Sequence, residues 1–300
     1  MALNILRNRS VQNGIKANYS SGNIPEEYKT LSVSVPKKFV YLVQLNRPQQ
    51  RNAINNAMWS EFETCFNKLA EEPNCRVIVL SGSGKMFCAG IDLQDMLQLA
   101  PQLAEQEDIA RKCKILNATI KKYQNSLSSV EKCPKPVIAA VHGPCIGAGV
   151  DMISAADIRY CSSDAWFQIK EIALGLAADV GTLQRFPKII GSDSLVRELV
   201  YTARKFTAPE ALQSGFVSCV VDNKETLLSK CLELAGEIAS QSPVAVQTSK
   251  LSLVYSRDHS VQEGLNHIRM HNQTMLQSED FTTAAMAIAT NGEPPVFSKL

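Results

Sequence analysis

The chain has 300 residues, of which 45% are hydrophobic and 20% are charged, and its formal net charge is +2. A chain of this length and composition can bury one large core, so we expect a soluble globular protein. Basic and acidic residues nearly balance, at 31 and 29, and no apolar run is long enough to cross a bilayer. The composition therefore argues against a nucleic-acid partner and against an integral membrane protein.

Residues 1–29 show no hydrophobic periodicity and are predicted to form a disordered leader. The leader has several basic residues, many Ser and Asn, and no acid before Glu26, which also resembles a weak mitochondrial presequence. An ordinary disordered tail explains the same composition equally well.

From residue 30 onward, strand and helix signals alternate. Predicted strands lie at 39–45, 76–80 and 136–141, and predicted helices at 58–69 and 104–131. This alternation predicts a parallel sheet with crossover helices. Beyond residue 224 the strand signal disappears, and three helices are predicted near 224–240, 243–256 and 260–276. We therefore expect an α/β core over 30–223, a helical region over 224–291 and a flexible tail over 292–300.

Three carboxylates lie in a short stretch of otherwise apolar, glycine-bearing sequence: Asp151, Glu171 and Asp179. Ionised carboxylates are costly to desolvate, so such groups are usually paired or used. They predict a proton-transfer site.

Two glycine-bearing segments near these acids could supply backbone donors. In the first, the N–H of Ile91 would be free where a strand ends, and Asp92 could cap a helix-like run over 93–99. In the second, Gly147 and Gly149 open a helix predicted over 150–156. Taken alone, the first segment is equally well explained as a tight strand-to-helix connection. Together, the two predict an oxyanion hole in an enzyme that forms and quenches an enolate.

Other motifs fail. Ser81-Gly-Ser-Gly-Lys lacks the spacing of a phosphate loop, and His267 and His271 stand one helical turn apart without an apparent third ligand. No histidine lies beside a Ser or Cys in a nucleophile-like turn. We expect no metal, no nucleotide cofactor and no acyl-enzyme chemistry.

Several motifs carry a resemblance to a known family. They are Asn46-Arg-Pro, Asn52-Ala-Ile-Asn, Phe87-Cys-Ala-Gly-Ile-Asp-Leu, Lys135-Pro-Val-Ile-Ala-Ala-Val-His-Gly, Gly147-Ala-Gly-Val-Asp, Asp157-Ile-Arg-Tyr-Cys and Gly181-Thr-Leu-Gln-Arg-Phe-Pro-Lys-Ile-Ile-Gly. In this order they resemble the enoyl-CoA hydratase/isomerase (crotonase) superfamily. The resemblance implies an α/β spiral of β-β-α turns, a C-terminal helical trimerisation region and a homo-oligomer that is a trimer or a dimer of trimers. It also implies an acyl-CoA thioester substrate and no separate cofactor, because coenzyme A is part of the substrate.

The resemblance also implies binding residues. The oxyanion and substrate-binding set is Ala89, Gly90, Ile91, Asp92, Leu93 and Ala148, and the CoA-binding set is Asn52, Ala53 and Ile54. Ala148 departs from the family, which usually has glycine as the second oxyanion donor. Alanine keeps the N–H, so the hole persists if φ at Ala148 is negative.

The three acids distinguish between the enzymes of this family. Hydratases have glutamates at the positions matching Asp151 and Glu171, and usually a small residue where this chain has Asp179. The trio resembles the dienoyl-CoA isomerases, which convert a 3,5-diene to a conjugated 2,4-diene in an auxiliary step of unsaturated fatty acid β-oxidation. One carboxylate cannot easily reach both C2 and C6. We therefore assign Glu171 as the base at C2 and Asp179 as the acid near C6, with Asp151 tuning both, although sequence leaves open which acid serves which carbon.

Alternatives remain at this stage. The chain could be a 2-enoyl-CoA hydratase, a 3,2-enoyl-CoA isomerase that uses a single acid, or a crotonase-fold binding protein without activity. Asp179 could instead only cap a helix that begins near Gly181.

The chain stops at Ser298, Lys299 and Leu300, the tripeptide of the peroxisomal import signal. We expect an import receptor as a partner and the peroxisome as the destination, with the mitochondrion as a second candidate.

Overall fold

The computed structural model describes residues 28–300, so nearly all of the predicted leader lies outside the described residues. Its strands are β1 (Leu31–Lys37), β2 (Val40–Leu45), β3 (Val77–Gly82), β4 (Val137–Val141), β5 (Pro144–Ile146), β6 (Ile158–Ser162), β7 (Trp166–Gln168), β8 (Phe206–Thr207) and β9 (Cys219–Val221). Its helices are α1 (Asn56–Glu71), α2 (Leu93–Leu97), α3 (Leu99–Ala104), α4 (Ile109–Lys132), α5 (Ala148–Ser154), α6 (Thr182–Ile189), α7 (Asp193–Thr202), α8 (Ala208–Gln213), α9 (Lys224–Ser240), α10 (Pro243–Ser256), α11 (Val261–Met275) and α12 (Glu279–Ala289).

The main sheet has the strand order β1-β2-β3-β4-β6-β9. Its strands pair in parallel from β2 to β9, as the alternation of strands and helices predicts, and only β1 pairs antiparallel with β2. β1 was not predicted, because serines alternate with its apolar residues and only one of its residues is fully buried.

A smaller sheet, β5-β7-β8, lies beyond the ends of the main strands. β4 continues into β5 and then α5, and β6 continues into β7 and a 3-10 turn at Glu171–Leu174. An isolated parallel bridge between Cys88 and Cys145 places the chain after β3 in the same layer. These repeated turns are the β-β-α units that the family resemblance implies, and they bring the ends of three strands to one edge.

The core has two layers, one on each face of the main sheet. Because side chains alternate along a strand, Ile78 and Leu80 of β3 pack into a cluster with α1, whereas Val77 and Val79 pack into a cluster with α9. The strands are therefore apolar on both faces, as is typical of a parallel sheet covered by helices.

Several predicted boundaries are wrong. The helix predicted over 150–156 is α5, which begins at Ala148 and ends at Ser154. The helix predicted over 104–131 begins only at Ile109, where the Asp108 side chain accepts a hydrogen bond from the N–H of Arg111 and so caps α4. The run at 93–99 divides into α2 and α3. The predicted helices near 224–240, 243–256 and 260–276 are present as α9, α10 and α11, and α12 is an additional one.

Within residues 28–300, no helix is both long enough and apolar enough to span a bilayer.

Candidate active site

The first predicted backbone donor, the N–H of Ile91, is free. Ile54 and Ile91 form a parallel bridge in which Ile54 N donates to Gly90 O at 2.8 Å and Asp92 N donates to Ile54 O at 3.0 Å. The N–H of Ile91 therefore points away from Ile54, and no described residue accepts a hydrogen bond from it.

The second donor, the N–H of Ala148, is the first N–H of α5 and has no acceptor among the described residues. Gly147 precedes it with φ +53°, a left-handed value that favours glycine, whereas Ala148 is not among the non-glycine residues with positive φ. The condition set by the sequence analysis is therefore met. Gly90 also has a positive φ of +94°, and a Cβ there would lie 3.1 Å from Ile146 O, so glycine lets the two donor segments approach.

The buried side chain of Asn52 holds the segment that leads to Ile91 through four hydrogen bonds. The Asn52 amide donates to the carbonyls of Ser83, Met86 and Phe87 at 2.8, 3.0 and 3.0 Å and accepts from Arg47 N at 3.0 Å. Asn52 is completely buried and has φ +54°. Its side chain fixes the loop that leads from β3 toward Ile91.

Asp92 does not cap α2 as predicted. Its carboxylate accepts from Arg47 Nη1 at 2.9 Å instead, and no side-chain bond caps the helix. The ion pair is mostly buried, and it holds the residue that directly follows the Ile91 donor.

Ile91 and Ala148, which carry the two donors, both line a cavity of about 290 Å³. Its lining is mainly apolar: Ala89, Gly90, Ile91, Leu93, Met96, Leu99, Leu116, Thr119, Ile120, Tyr123, Ile146, Gly147, Ala148, Lys170, Glu171, Leu174, Leu176 and Asp179. The cavity thus collects every member of the predicted oxyanion and substrate-binding set except Asp92. A mainly apolar concavity with a few polar groups is typical of a small-molecule site.

Glu171 stands on the wall of this cavity, at the start of the 3-10 turn that follows β7. A Cβ on Gly147 would lie 3.1 Å from Glu171 Oε1, so the missing side chain there leaves room for the carboxyl group. Glu171 Oε2 has no hydrogen-bond partner among the described residues. Burial is the largest cause raising the pKa of Glu171, which makes the ionised form a stronger base.

Asp179 lies on the same wall and is half-buried. Burial raises the pKa of Asp179, which favours the protonated form that a general acid needs. Gln124 of α4 donates to the main-chain oxygen of Asp179 at 2.7 Å and fixes the loop between the 3-10 turn and α6.

Asp151 lies beneath the cavity rather than on its wall. It is completely buried in α5, and its Oδ1 accepts from Thr182 N at 2.5 Å, while its Oδ2 has no partner among the described residues. Asp151 therefore caps α6, and Asp179 does not, so the reading of Asp179 as a mere helix cap is wrong. Burial and the neighbouring Glu171 raise the pKa of Asp151 to about 7.

The predicted CoA-binding residues do not line the cavity. The side chains of Asn52 and Ile54 are buried, and their main-chain oxygens accept from Cys88 and Asp92. Ala53 is half-buried, and its carbonyl accepts from Arg47. Much of this segment's hydrogen-bonding capacity is therefore used inside the protein, and its clearest role is to support Ile91.

α4 contributes a wall of the cavity that was not predicted from the sequence. Leu116, Ile120 and Tyr123 recur at helical spacing and line the cavity, and Tyr123 stacks on Trp59 with ring centroids 4.4 Å apart. The apolar stripe was the available signal, but the abundance of Lys and Asn in α4 suggested a solvated helix.

Within residues 28–300, no group of three or more His, Cys, Asp or Glu side chains is arranged to hold a metal ion. His267 stacks on Tyr255, with ring centroids 4.0 Å apart, and lies 4.6 Å from the His271 ring.

Comparison with known proteins identifies the class. The family described as Enoyl-CoA hydratase/isomerase matches residues 36–295. The chain therefore belongs to the enoyl-CoA hydratase/isomerase family, as the motif resemblance predicted.

Two relatives are similar to this chain over most of its length. The human protein named Delta(3,5)-Delta(2,4)-dienoyl-CoA isomerase, mitochondrial, is 53% identical over 282 residues, which cover 93% of this chain and 86% of that protein. The Arabidopsis thaliana protein named Delta(3,5)-Delta(2,4)-dienoyl-CoA isomerase, peroxisomal, is 42% identical over 277 residues, which cover 92% of this chain and 99% of that protein.

Solved structures of other proteins share this fold. The crystal structure of enoyl-CoA hydratase from Bacillus anthracis superposes with a TM-score of 0.80 at 28% identity, covering 89% of this chain and 99% of that one. This likeness confirms the predicted α/β spiral with its helical C-terminal region.

Proposed function

We propose that this protein is an isomerase that converts 3,5-dienoyl-CoA thioesters to 2,4-dienoyl-CoA thioesters. The observation that carries the proposal is the position of two carboxyl groups, Glu171 and Asp179, on the wall of one mainly apolar cavity. The same cavity is lined by Ile91 and Ala148, whose N–H groups have no acceptor among the described residues. Two acid/base groups suit a reaction that removes a proton at one carbon and adds one at another. The names of the human and Arabidopsis relatives support the same activity.

The proposed mechanism assigns one role to each polar group. Glu171 removes a proton from C2, and the charge spreads through a trienolate whose oxygen accepts hydrogen bonds from the N–H groups of Ile91 and Ala148. Each such donor is worth roughly 2.7–4 kcal/mol in comparable enzymes. Asp179 then donates a proton to C6, while Asp151 holds α6 and adjusts the proton affinity of Glu171.

A 2-enoyl-CoA hydratase is the runner-up. Hydratases act with carboxylates at the positions of Asp151 and Glu171, but here Asp151 is completely buried and absent from the cavity wall. The acid that replaces it on the wall is Asp179, which favours an isomerase.

Two variants test these roles. Replacing Asp179 with Asn should lower 3,5-dienoyl-CoA isomerisation by at least the roughly 100-fold typical of a lost general acid, while exchange of the C2 proton with deuterated solvent persists. Replacing Glu171 with Gln should abolish both. The measurements are the absorbance of the conjugated thioester and mass spectrometry of recovered substrate. Near-full turnover in a folded Asp179→Asn protein would refute the remote-acid role, and C2 exchange surviving in Glu171→Gln would move the base elsewhere.

We also propose a homo-oligomer, either a trimer or a dimer of trimers. Large apolar side chains on α10, α11 and α12 are exposed, among them Leu253 at 74%, Val261 at 81% and Ile288 at 79%. Exposed apolar surface on this scale usually marks an interaction site. The proposed partner is a second copy of the chain, because the family resemblance places trimerisation in this region.

We propose the peroxisome as the main destination, with recognition of Ser298, Lys299 and Leu300 by the import receptor. These three residues are exposed, whereas Arg76 donates to the carbonyls of Phe297 and Ser298 at 2.6 and 2.8 Å. The tail is thus held at its base with its end accessible. The relatives' names include both peroxisomal and mitochondrial proteins, so the mitochondrion remains the second proposed destination.

A further inference from the structure

The proposed reaction leaves its two acids in the wrong protonation states. After one turnover Glu171 holds the proton taken from C2, and Asp179 has lost the proton given to C6. Before the next turnover Glu171 must lose a proton and Asp179 must gain one. Either the proton passes directly between them, or each exchanges separately with solvent.

Asp179 borders a second cavity, which Glu171 does not. This cavity has a volume of about 330 Å³. It is lined by Gln124, Ser128, Asp179, Val180, Gly181, Gln184, Arg185, Lys188, Arg257 and Asp258. Asp179 is the only one of these that also lines the substrate cavity. The two cavities therefore meet at the residue that must be reprotonated.

The lining of the second cavity suits water. It is mostly polar, whereas the substrate cavity is mostly apolar. A polar cavity that is large enough to hold water and offers several hydrogen-bonding groups is normally hydrated.

The charges in this cavity are paired, which disfavours an anionic ligand. The Arg185 guanidinium bonds both oxygens of Glu131 at 3.2 and 3.0 Å, and Arg257 pairs with Glu131 as well. Lys188 pairs with Asp258. The three cations of the lining share two acids, Glu131 and Asp258, so a phosphate would find at most one net positive charge.

Two contacts hold this wall in place beside Asp179. Gln124 fixes the main-chain oxygen of Asp179, and the Arg185 guanidinium packs on Gly181, where a Cβ would lie 2.1 Å from Nη1. The opening behind Asp179 is thus bounded by anchored groups.

We propose, on the basis of the proposed function, that the second cavity is a water-filled proton route through which Asp179 regains its proton from solvent. In each cycle the C2–H bond breaks and its proton passes to the Glu171 carboxylate. The Asp179 O–H bond breaks and its proton forms the new C6–H bond. Water in the second cavity then protonates Asp179, and Glu171 releases its proton to solvent through the mouth of the substrate cavity. No proton is gained or lost overall.

An isotope experiment separates this route from internal transfer. The wild-type enzyme is given substrate deuterated at C2 in ordinary water for many turnovers, and the product is analysed by mass spectrometry and NMR. We expect no deuterium at C6. Deuterium at C6 would show that Glu171 passes its proton to Asp179, which would overturn the proposal. If the wild-type enzyme forms no 2,4-dienoyl product at all, the proposed function fails instead.

Cavity variants identify the route. Gln184→Trp and Ser128→Leu enlarge two lining side chains on different helices, α6 and α4, whereas Gln241→Trp places the same ring at an exposed position outside the lining. We expect the two filling variants to lower turnover toward the roughly 100-fold loss of a missing general acid, with C2 exchange unchanged. The Gln241→Trp control should keep wild-type turnover. Wild-type turnover in either filling variant, with folding checked by circular dichroism, would overturn the proposal.

Discussion

At the residue scale, Asp151 shows how burial changes a carboxyl group. Burial and the charge of Glu171 raise the pKa of Asp151 to about 7, whereas its ordinary value is 3.8. Between these values the folded state keeps a proton that the unfolded chain has lost. Stability therefore falls as pH rises through this window, by at most about 1.4 kcal/mol per pH unit for one group.

The Asp151→Asn variant tests this linkage. Asparagine keeps an oxygen that can accept from Thr182 N but cannot ionise, so the melting temperature of the variant should fall less between pH 5 and pH 8 than that of the wild type. Thermal unfolding followed by circular dichroism measures it. Glu105→Gln, at an exposed acid, is the control and should leave the slope unchanged. Parallel curves for wild type and Asp151→Asn would contradict the buried, protonated Asp151.

At the element scale, the connection between β3 and α2 depends on the side chain of Asn52. Asn52→Gly tolerates the left-handed backbone but removes all four side-chain hydrogen bonds, leaving buried carbonyls unpaired. We expect a loss of at least about 3 kcal/mol in the free energy of unfolding, because one buried and three partly buried groups lose their partner and each unpaired buried group costs roughly 1–3 kcal/mol.

The same Asn52→Gly variant should also lose turnover more than substrate affinity, since the displaced loop carries the Ile91 donor. Denaturant unfolding and steady-state kinetics measure the two effects. Asn67→Ala, at an exposed position on α1, is the matched control. Unchanged turnover in folded Asn52→Gly would show that the Ile91 N–H is positioned without the hydrogen bonds of the Asn52 side chain.

The elements also show which sequence signals were sufficient. Apolar β-branched runs marked β2, β3 and β4, because a strand buried on both faces needs such residues. β1 and the short strands of the small sheet gave no comparable pattern. Because α4 is largely polar, its sequence did not predict that Leu116, Ile120 and Tyr123 line the substrate cavity.

At the scale of the whole molecule, the exposed apolar faces of α10, α11 and α12 predict assembly. Sedimentation of the purified protein at micromolar concentration should give a species that is a multiple of the 32.9 kDa chain mass. The physical reason is that subunit contact removes apolar surface from water. A single species near the chain mass would refute the oligomer.

The exposed tripeptide Ser298, Lys299 and Leu300 leads to a separate prediction about the compartment to which the protein is delivered. Extending the chain by a few residues beyond Leu300 should abolish peroxisomal import, because the receptor reads a free terminal tripeptide. Fluorescence microscopy of tagged protein in cells measures it, and extension with a second copy of Ser-Lys-Leu at the new end is the control that should restore import. Unchanged import of the blocked protein would exclude the terminal signal.

The sequence by itself determined the family, the order of the main elements and the identity of the three acids, because these depend on local composition and on motifs of fixed spacing. Only the tertiary structure decided where each acid lies and which groups surround it. Asp151, Glu171 and Asp179 look alike in sequence, yet folding buries Asp151 under α6, places Glu171 in the space left by Gly147, and sets Asp179 between an apolar and a polar cavity. The proton affinity and reach of a carboxyl group depend on its surroundings in space, which distant segments of the chain supply.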